Sequence, residues 1–276
     1  MTPSPKGLAR FVKDEVEIRL ADSKAKVHRQ GWRAILDCTP GERDLPRVLA
    51  GQIPFFYREP EKISADFQAR HDVFDAICDL ATKVPTTAKF QQSHCGEILA
   101  ALYLEDVLGF RMLYSKLTLT TAENTNVHKM DGFFVDLKSD PYTFIAVEAK
   151  TSILPTDKTK CSGHRHGILK QLIASLDGYS DEDKRFDFTL IRDNLNKGSF
   201  TEKEVLNIKE ELKPPGPSSM IHIGIATINE STVHPEDDGF ILTEKCRLDF
   251  KFRSLVVADL ADLAALAYGR VQKLKR

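Results

Sequence analysis

Residues 144–150 read FIAVEAK, an apolar run that ends in a carboxylate and an ammonium two positions apart. Such a run is typical of a strand buried on both faces, yet a buried charge is strongly destabilising unless a partner neutralises it. Because side chains alternate along a strand, Phe144, Ala146, Glu148 and Lys150 are predicted on one face. The two charges therefore project together, and any fold of this chain must supply partners for them there.

Two further strands are predicted just before this one. Apolar and polar residues alternate through RMLYSKLTLT at 111–120, KMDGFFVDL at 129–137 and YTFIAVEAK at 142–150. The polar loop TAENTNVH and the turn KSDP separate the three segments. Three neighbouring, largely antiparallel strands are the simplest arrangement of this pattern.

Helical patterns lie on either side of these strands. Before them, SHCGEILAALYLEDVLG at 93–109 has an apolar stripe of helical period, with Ser93 as its predicted cap and Gly109 as its predicted end. The segments predicted after the strands are a helix at 163–179, a candidate helix at 202–212, an apolar strand at 220–228, further strand at 238–252 and a closing helix at 255–276. The order αβββαβ predicts an α/β fold with additions at both ends.

The chain is long enough, at 276 residues, for one large domain or two small ones. Pro and Gly interrupt the first part at short intervals, and regular patterns begin only later. We therefore predict an N-terminal extension, residues 1–85, packed on an α/β domain, residues 86–276.

Composition and motifs limit the classes of function. With 39 basic and 40 acidic residues, no global field draws the chain to nucleic acid or lipid, so a polyanion site must be local. No apolar run approaches the roughly 20 residues of a membrane span, and we expect a cytoplasmic protein that binds no membrane. The five scattered cysteines, without a C-x-x-C pair, are expected to be reduced thiols. Without a G-x-x-x-x-G-K-[ST] motif, no nucleotide cofactor is expected on this chain.

A second carboxylate is predicted beside Glu148. Asp131 begins the preceding strand, 17 residues earlier, which is the distance of a hairpin. Two carboxylates that converge near an ammonium suit metal-assisted phosphodiester hydrolysis, because they hold a hard cation such as Mg²⁺ or Mn²⁺ that lowers the pKa of a bound water. Lys150 would then orient this water or stabilise the developing negative charge.

A structural ion pair is the alternative interpretation. The pattern acid-x-Lys occurs six times in the chain, and Asp238, Asp249 and Lys251 lie in strand-like sequence at comparable spacing. Only Glu148 follows a predicted helix that carries an acid, Glu97, and precedes both a helix and an apolar strand. Context therefore favours the Glu148 site and leaves the structural ion pair open.

The segments GEILAALYLEDVLGFRMLYSKLTLTTAENTNVHKMDGFFV and FIAVEAK resemble the PD-(D/E)XK nuclease fold and, more narrowly, the HamA family of nuclease subunits in the Hachiman anti-phage defence system. The resemblance spans residues 93–228. Its most specific features are GE, SK, DG and EAK, in that order. One departure is Met130, which stands where the nominal motif has proline and leaves the carboxylates in place.

This resemblance implies a Mg²⁺-dependent deoxyribonuclease that acts on DNA and is held in complex with a helicase subunit, HamB. By position, Asp131 and Glu148 match the metal-binding acids, together with the backbone carbonyl of Ala149. Lys150 matches the catalytic lysine, and Glu97 matches the helix acid that often completes such a site. An inactive nuclease fold that only grips DNA, or a subunit that only clamps the helicase, remains the alternative.

Four basic residues are predicted to contact DNA: Lys116, Arg165, His166 and Lys170. In the resembled fold, the helix after the catalytic strand lines the DNA groove, and phosphate contacts there position the duplex without reading its sequence. For Lys116 the alternative is an ordinary charge at a strand edge. For Lys170 it is a solvated position on the exposed face of a helix.

Overall fold

The computed structural model describes residues 7–20, 26–39, 44–57, 84–119, 130–152, 167–195 and 200–273, together with residues 63, 65 and 68. Within these ranges the strands are β1 (Val12–Glu17), β2 (Gly31–Leu36), β3 (Arg111–Ser115), β4 (Gly132–Asp136), β5 (Thr143–Ser152), β6 (Ser219–Asn229) and β7 (Lys251–Val257). The α-helices are α1 (Leu45–Tyr57), α2 (Ala88–Leu102), α3 (Gly167–Asp177), α4 (Asp181–Asn194), α5 (Glu202–Glu211), α6 (Pro235–Thr243) and α7 (Leu260–Gln272). Short 3₁₀ segments span Gly7–Phe11, Lys116–Leu119 and Glu230–Thr232, and a π-helical turn spans Tyr103–Val107.

The strands of the described residues form one seven-stranded mixed sheet in the order β1-β2-β7-β6-β5-β4-β3. Three neighbouring pairs in the middle of the sheet are parallel: β2/β7, β7/β6 and β6/β5. The pairs towards the two edges, β1/β2, β5/β4 and β4/β3, are antiparallel. Strand β5 therefore lies inside the sheet, between antiparallel β4 and parallel β6. This position explains why residues 144–149 are buried on both faces.

Alternation along β5 divides the core into two clusters, as predicted. Ile145 and Val147 pack with apolar residues of α1, α2 and α7 on one face of the sheet. Phe144 and Ala146 pack with α3, α4, α5 and α6 on the other face. The sheet is thus covered by helices on both sides, and the α/β class is confirmed.

The predicted αβββαβ order is confirmed as α2, β3, β4, β5, α3 and β6. The cap predicted for the helix at 93–109 is wrong. The observed helix, α2, begins at Ala88 after Thr87, and Ser93 lies exposed within it. Residues 88–92, between Thr87 and Ser93, are well tolerated in a helix, so the helix begins before the serine. Gly109, with φ 75°, follows the π-helical turn and ends the helical segment as predicted.

Two predicted strands are shorter than their patterns. The Lys116 N–H still pairs with the Asp131 carbonyl at 3.0 Å, in line with the β3–β4 register, and the chain then turns into a 3₁₀ segment in which the Thr118 hydroxyl donates to the Ser115 carbonyl at 2.6 Å. Segment 238–252 is strand only at its last two residues, because residues 238–243 belong to helix α6 and β7 begins at Lys251. Strand β7 continues to Val257, so the closing helix predicted from residue 255 begins only at Leu260. Pro235 in the first turn of α6 and the acidic residues that follow are helix-start signals that outweigh the apolar pattern.

Helix α4 was not predicted from the charged stretch that contains it. Ser180 and Asp183 form a reciprocal capping box at its start, with the Asp183 N–H donating to the Ser180 hydroxyl at 3.1 Å. This spacing of serine and acid is readable in the sequence and would have located the helix.

The N-terminal segment contributes to the same sheet as the rest of the chain. Strand β2 pairs with β7 in parallel, and β1 pairs with β2 at the sheet edge. The division at residue 85 therefore runs through a continuous sheet, and it stays a prediction. Among the described residues, Cys38, Cys95 and Cys246 are free thiols, and no helix in these ranges is long and apolar enough to cross a membrane.

Candidate functional site

Strand pairing places Asp131 beside Glu148. The β4–β5 register sets Gly132 opposite Val147, so the residues one step further, Asp131 and Glu148, lie next to each other. Two hydrogen bonds fix this arrangement: the Asp131 N–H donates to the Val147 carbonyl at 3.0 Å, and Asp131 Oδ2 accepts from the Ala149 N–H at 2.9 Å. The two carboxylates therefore share one end of the strand pair.

Glu148 is almost fully buried and only half satisfied. Its side chain has one oxygen, Oε1, at 2.5 Å from Lys150 Nζ, while Oε2 is buried without a hydrogen-bond partner. Burial and, next, the negative charge of Asp131 together raise the pKa of Glu148 to about 7, against the opposing effects of the Lys150 ammonium and the nearby Ser175 hydroxyl. Near neutral pH the Lys150 ammonium alone therefore does not keep this carboxyl fully ionised.

Lys116 provides the second ammonium of the site. Its Nζ lies 3.2 Å from Asp131 Oδ1, so both oxygens of that carboxylate accept hydrogen bonds. Burial lowers the pKa of Lys116, but the charges of Asp131 and Glu97 outweigh burial and leave its pKa above the usual value. Lys116 therefore remains positively charged throughout the neutral range.

Helix α2 brings Glu97 to the same place. The preceding residue, Gly96, lies so close to β5 that an added Cβ would stand 1.9 Å from Thr151 Oγ1. The helix can therefore rest directly on the strand. Burial, and next the charge of Asp131, raise the pKa of Glu97 well above its usual value; Glu148 adds a smaller rise, and the Lys116 and Lys150 ammoniums oppose it.

Five of the residues predicted from the sequence thus meet at one end of β4 and β5: Glu97, Lys116, Asp131, Glu148 and Lys150. Three carboxylates face two ammoniums, so the ionised cluster carries an excess negative charge in a poorly hydrated place. Burial, together with this imbalance of charge, explains the raised pKa values of Glu97 and Glu148.

The donor set suits a hard divalent cation, since it consists of carboxylate oxygens and one of them, Glu148 Oε2, lacks a partner. As the side chains stand, no group of three or more His, Cys, Asp or Glu residues in the described ranges is arranged to hold a metal ion. Lys116 and Lys150 each engage one of the two central carboxylates. A cation would therefore share these carboxylates with the lysines, and Oε2 is the oxygen already available to it.

The remaining three predicted DNA-contact residues are not among the five residues that meet in the cluster. Lys170 lies on the exposed face of α3, whereas Arg165 and His166 lie outside the described residues. The competing site is not assembled, because Asp238 lies on α6 and pairs with Arg33 at 2.5 Å. Its partners in the sequence pattern, Asp249 and Lys251, are both exposed.

One neighbour of the site, His94, was missed by sequence reasoning. Its Nδ1 lies 2.6 Å from the Tyr57 hydroxyl, and the charges of Lys116 and Asp131 both act on its pKa. The spacing of three residues between His94 and Glu97 on one helix was the available signal.

The sequence model of the HamA family matches residues 10–264, which include every strand and the residues of the carboxylate cluster. A search of curated proteins finds no match to the chain.

Proposed function

This chain belongs to the HamA family, a component of the Hachiman antiviral defence system, and from this premise we propose that it is a metal-dependent deoxyribonuclease. The proposal includes the PD-(D/E)XK type of nuclease core, with which the αβββαβ order is consistent. The observation that carries it is the meeting of Asp131, Glu148 and Lys150 at one strand end, with Glu148 Oε2 buried and unpartnered.

In this proposal, Asp131 and Glu148, with the backbone carbonyl of Ala149, would hold Mg²⁺ or Mn²⁺. When bound, such an ion lowers the pKa of a coordinated water and neutralises charge on the phosphate. The burial of Glu148 supports this role, because a cation would stabilise the ionised carboxyl that the fold now disfavours.

The two lysines would act on the water and the phosphate. Lys150, whose Nζ already lies at the Glu148 carboxylate, would orient the attacking water and stabilise the developing negative charge. Lys116, which stays positively charged, would donate to a phosphate oxygen of the scissile bond. Glu97, with its raised pKa, would accept or hold a proton near the water or support a second ion.

The test is a comparison of two double variants that each remove an acid-x-Lys pair. E148A/K150A should lower plasmid cleavage in Mg²⁺ at least about 10³-fold, because it removes both a ligand and the lysine. D249A/K251A removes an acid and a lysine at the same spacing from exposed positions and should cleave like the wild type. Near wild-type cleavage by pure E148A/K150A that melts as a folded protein would refute these roles.

The alternative is a subunit in which Glu148 and Lys150 form only a structural ion pair. Their contact at 2.5 Å, and the lack of a ready-made group of three metal ligands in the described residues, favour this candidate. A native metal site gains stability from the ion by differential binding, whereas an ion pair does not. Cleavage without any effect of EDTA, or no cleavage and no thermal shift with Mg²⁺ or Mn²⁺, would support the alternative.

We also propose that a HamB-like helicase subunit holds this chain in check and that DNA is the substrate. Family membership supports this partner, and the sequence lacks the P-loop of an ATP-driven motor. Lys170, with Arg165 and His166 before it, would contact phosphates beside the cluster. Purification of the chain alone and with the helicase of its own system, followed by DNA degradation assays with and without divalent metal, tests the complex and its restraint.

A further inference from the structure

A chain of hydroxyl groups links the two terminal parts of the protein to helix α2. Tyr57, at the end of α1, lies 3.0 Å from the Tyr268 hydroxyl of α7 and 2.6 Å from His94 Nδ1 of α2. Tyr57 and Tyr268 are 3% and 0% exposed, so water does not supply alternative partners. The oxygen–oxygen and oxygen–nitrogen distances are those of hydrogen bonds.

The number of hydrogens fixes the direction of this chain. Each tyrosine carries one hydroxyl hydrogen, and among the described residues the Tyr268 hydroxyl contacts only that of Tyr57. Tyr268 must therefore donate to Tyr57, since the reverse direction would leave the Tyr268 hydrogen buried without an acceptor. Tyr57 then donates its own hydrogen to His94 Nδ1. Burial raises the pKa of both phenols, so both hydrogens are present at neutral pH.

His94 is therefore a hydrogen-bond acceptor at Nδ1 and a donor at Nε2. Burial lowers its pKa to about 4, so the ring is neutral and carries its single proton on Nε2. This nitrogen lies on the ring edge away from Tyr57, and it has no hydrogen-bond partner among the described residues.

The position of His94 is next to the carboxylate cluster. It lies three residues before Glu97, so the two side chains share a face of α2. The charges of Lys116 and Asp131 both act on the pKa of the imidazole, so the ring lies within electrostatic range of this pair. Both oxygens of Asp131 already accept hydrogen bonds, from Lys116 and from Ala149, so the donor at Nε2 is available to a ligand rich in acceptor oxygens.

We propose that His94 contacts DNA in the candidate site, donating from Nε2–H to a phosphate oxygen beside Lys116, and that Tyr57 and Tyr268 are positioning residues that fix its tautomer. This inference rests on the proposed deoxyribonuclease function. A neutral donor gives the phosphate one more hydrogen bond and adds no positive charge that would compete with a metal ion for the carboxylates.

The tautomer is tested without reference to activity. In the ¹⁵N-labelled wild-type protein, long-range ¹⁵N–¹H spectra at pH 7.5 should show His94 with its proton on Nε2, with H94Q used to assign its signals. In Y57F, where Nδ1 loses its donor, the two tautomers should exchange. A proton on Nδ1 in the wild type, or an unchanged His94 spectrum in Y57F, would overturn the assigned direction.

The contact itself is tested by DNA cleavage with Mg²⁺ at pH 8. H94Q keeps a donor near the position of Nε2 and should retain kcat/KM within about 10-fold of the wild type, whereas H94F should lose about 10²-fold. Y57F should lower kcat/KM in the wild type but not further in the H94F background, because it acts through His94. Thermal melting of each variant separates these effects from unfolding.

Each failure has a distinct signature. If the wild type does not cleave DNA in any divalent metal, both the proposed function and this contact fail. If the wild type cleaves and H94F matches it, or H94Q is as impaired as H94F, only the role of His94 is refuted. Equal losses from Y57F with and without His94 would show that the tyrosine has a purely structural effect.

Discussion

The raised pKa of Glu148 makes the stability of the protein depend on pH in a defined window. The carboxyl has a usual pKa of 4.5 and one of about 7 in the folded chain. Between these values the folded state keeps a proton that the unfolded chain has released, so the free energy of unfolding falls as the pH rises from about 4.5 to about 7. Below this window Glu148 is protonated in both states, and above it the carboxyl is ionised in both.

The size of the effect follows from the same two values. At about 1.4 kcal/mol for each pKa unit, Glu148 should remove roughly 3 kcal/mol of stability across the window. Glu148→Gln replaces the carboxyl with a neutral group of the same shape and abolishes this titration. Relative to the wild type, E148Q should therefore gain roughly 3 kcal/mol of stability between pH 4.5 and pH 8.

The assay is urea unfolding of both proteins at a series of pH values, with EDTA present to exclude bound metal. Buried groups whose pKa does not depend on Glu148 titrate in both proteins and cancel in the difference. These groups are Glu105 and Asp238, with raised pKa values, and His94 and His222, with pKa values lowered to about 4. The Glu148 charge contributes to the raised pKa of Glu97, so the pKa of Glu97 should fall in E148Q and add to the difference. Glu182→Gln makes the same change at an exposed position of α4 and is the matched control. Parallel pH curves for the wild type and E148Q would refute the argument.

Three other expectations follow from particular contacts. Mg²⁺ or Mn²⁺ should raise the melting temperature of the wild type and not of D131N, and an equal shift in both would contradict the proposed ligand. Gly96→Ala should destabilise the protein by roughly 1–3 kcal/mol in urea unfolding, because its Cβ would meet Thr151 at 1.9 Å, whereas Gly51→Ala, with open space around it, should be neutral or stabilising. Ser180→Ala should cost about 1 kcal/mol through loss of the α4 cap, and an unchanged urea midpoint would argue against that capping box.

The parts of the fold that were predicted from sequence are those set by local periodicity. The alternation in FIAVEAK assigns Phe144 and Ala146 to one cluster and Ile145 and Val147 to the other, because period 2 is a property of any extended chain. The antiparallel arrangement of β3, β4 and β5 was predicted as the simplest arrangement of three strand patterns adjacent in the sequence, and the observed register confirms it. Segment 238–252 shows the limit, since its apolar pattern suits either a strand or the helix α6 that the cap residues select.

The candidate site was only partly readable for a related reason. Asp131 and Glu148 could be paired from the sequence because a hairpin brings them together, whatever the rest of the fold does. The contact of Lys116 with Asp131 depends on a turn at the end of β3 that the strand pattern concealed. His94 could not be assigned a tautomer from sequence, because its partners lie 37 residues before it and, through Tyr57, in the last helix.

The placement of helix α2 connects these observations. Its close contact with β5 at Gly96 carries Glu97 to the carboxylate cluster, and the hydroxyl chain from Tyr268 through Tyr57 holds His94 on the same helix face. Tyr57 comes from helix α1 and Tyr268 from helix α7, so both helices support the part of α2 that lies beside the charged cluster. The cluster is costly to the folded state because its negative charge exceeds its positive charge in a buried place. Because the excess charge is negative, a bound cation is the kind of ligand that would relieve it, and the packing of α1, α2 and α7 keeps the cluster assembled.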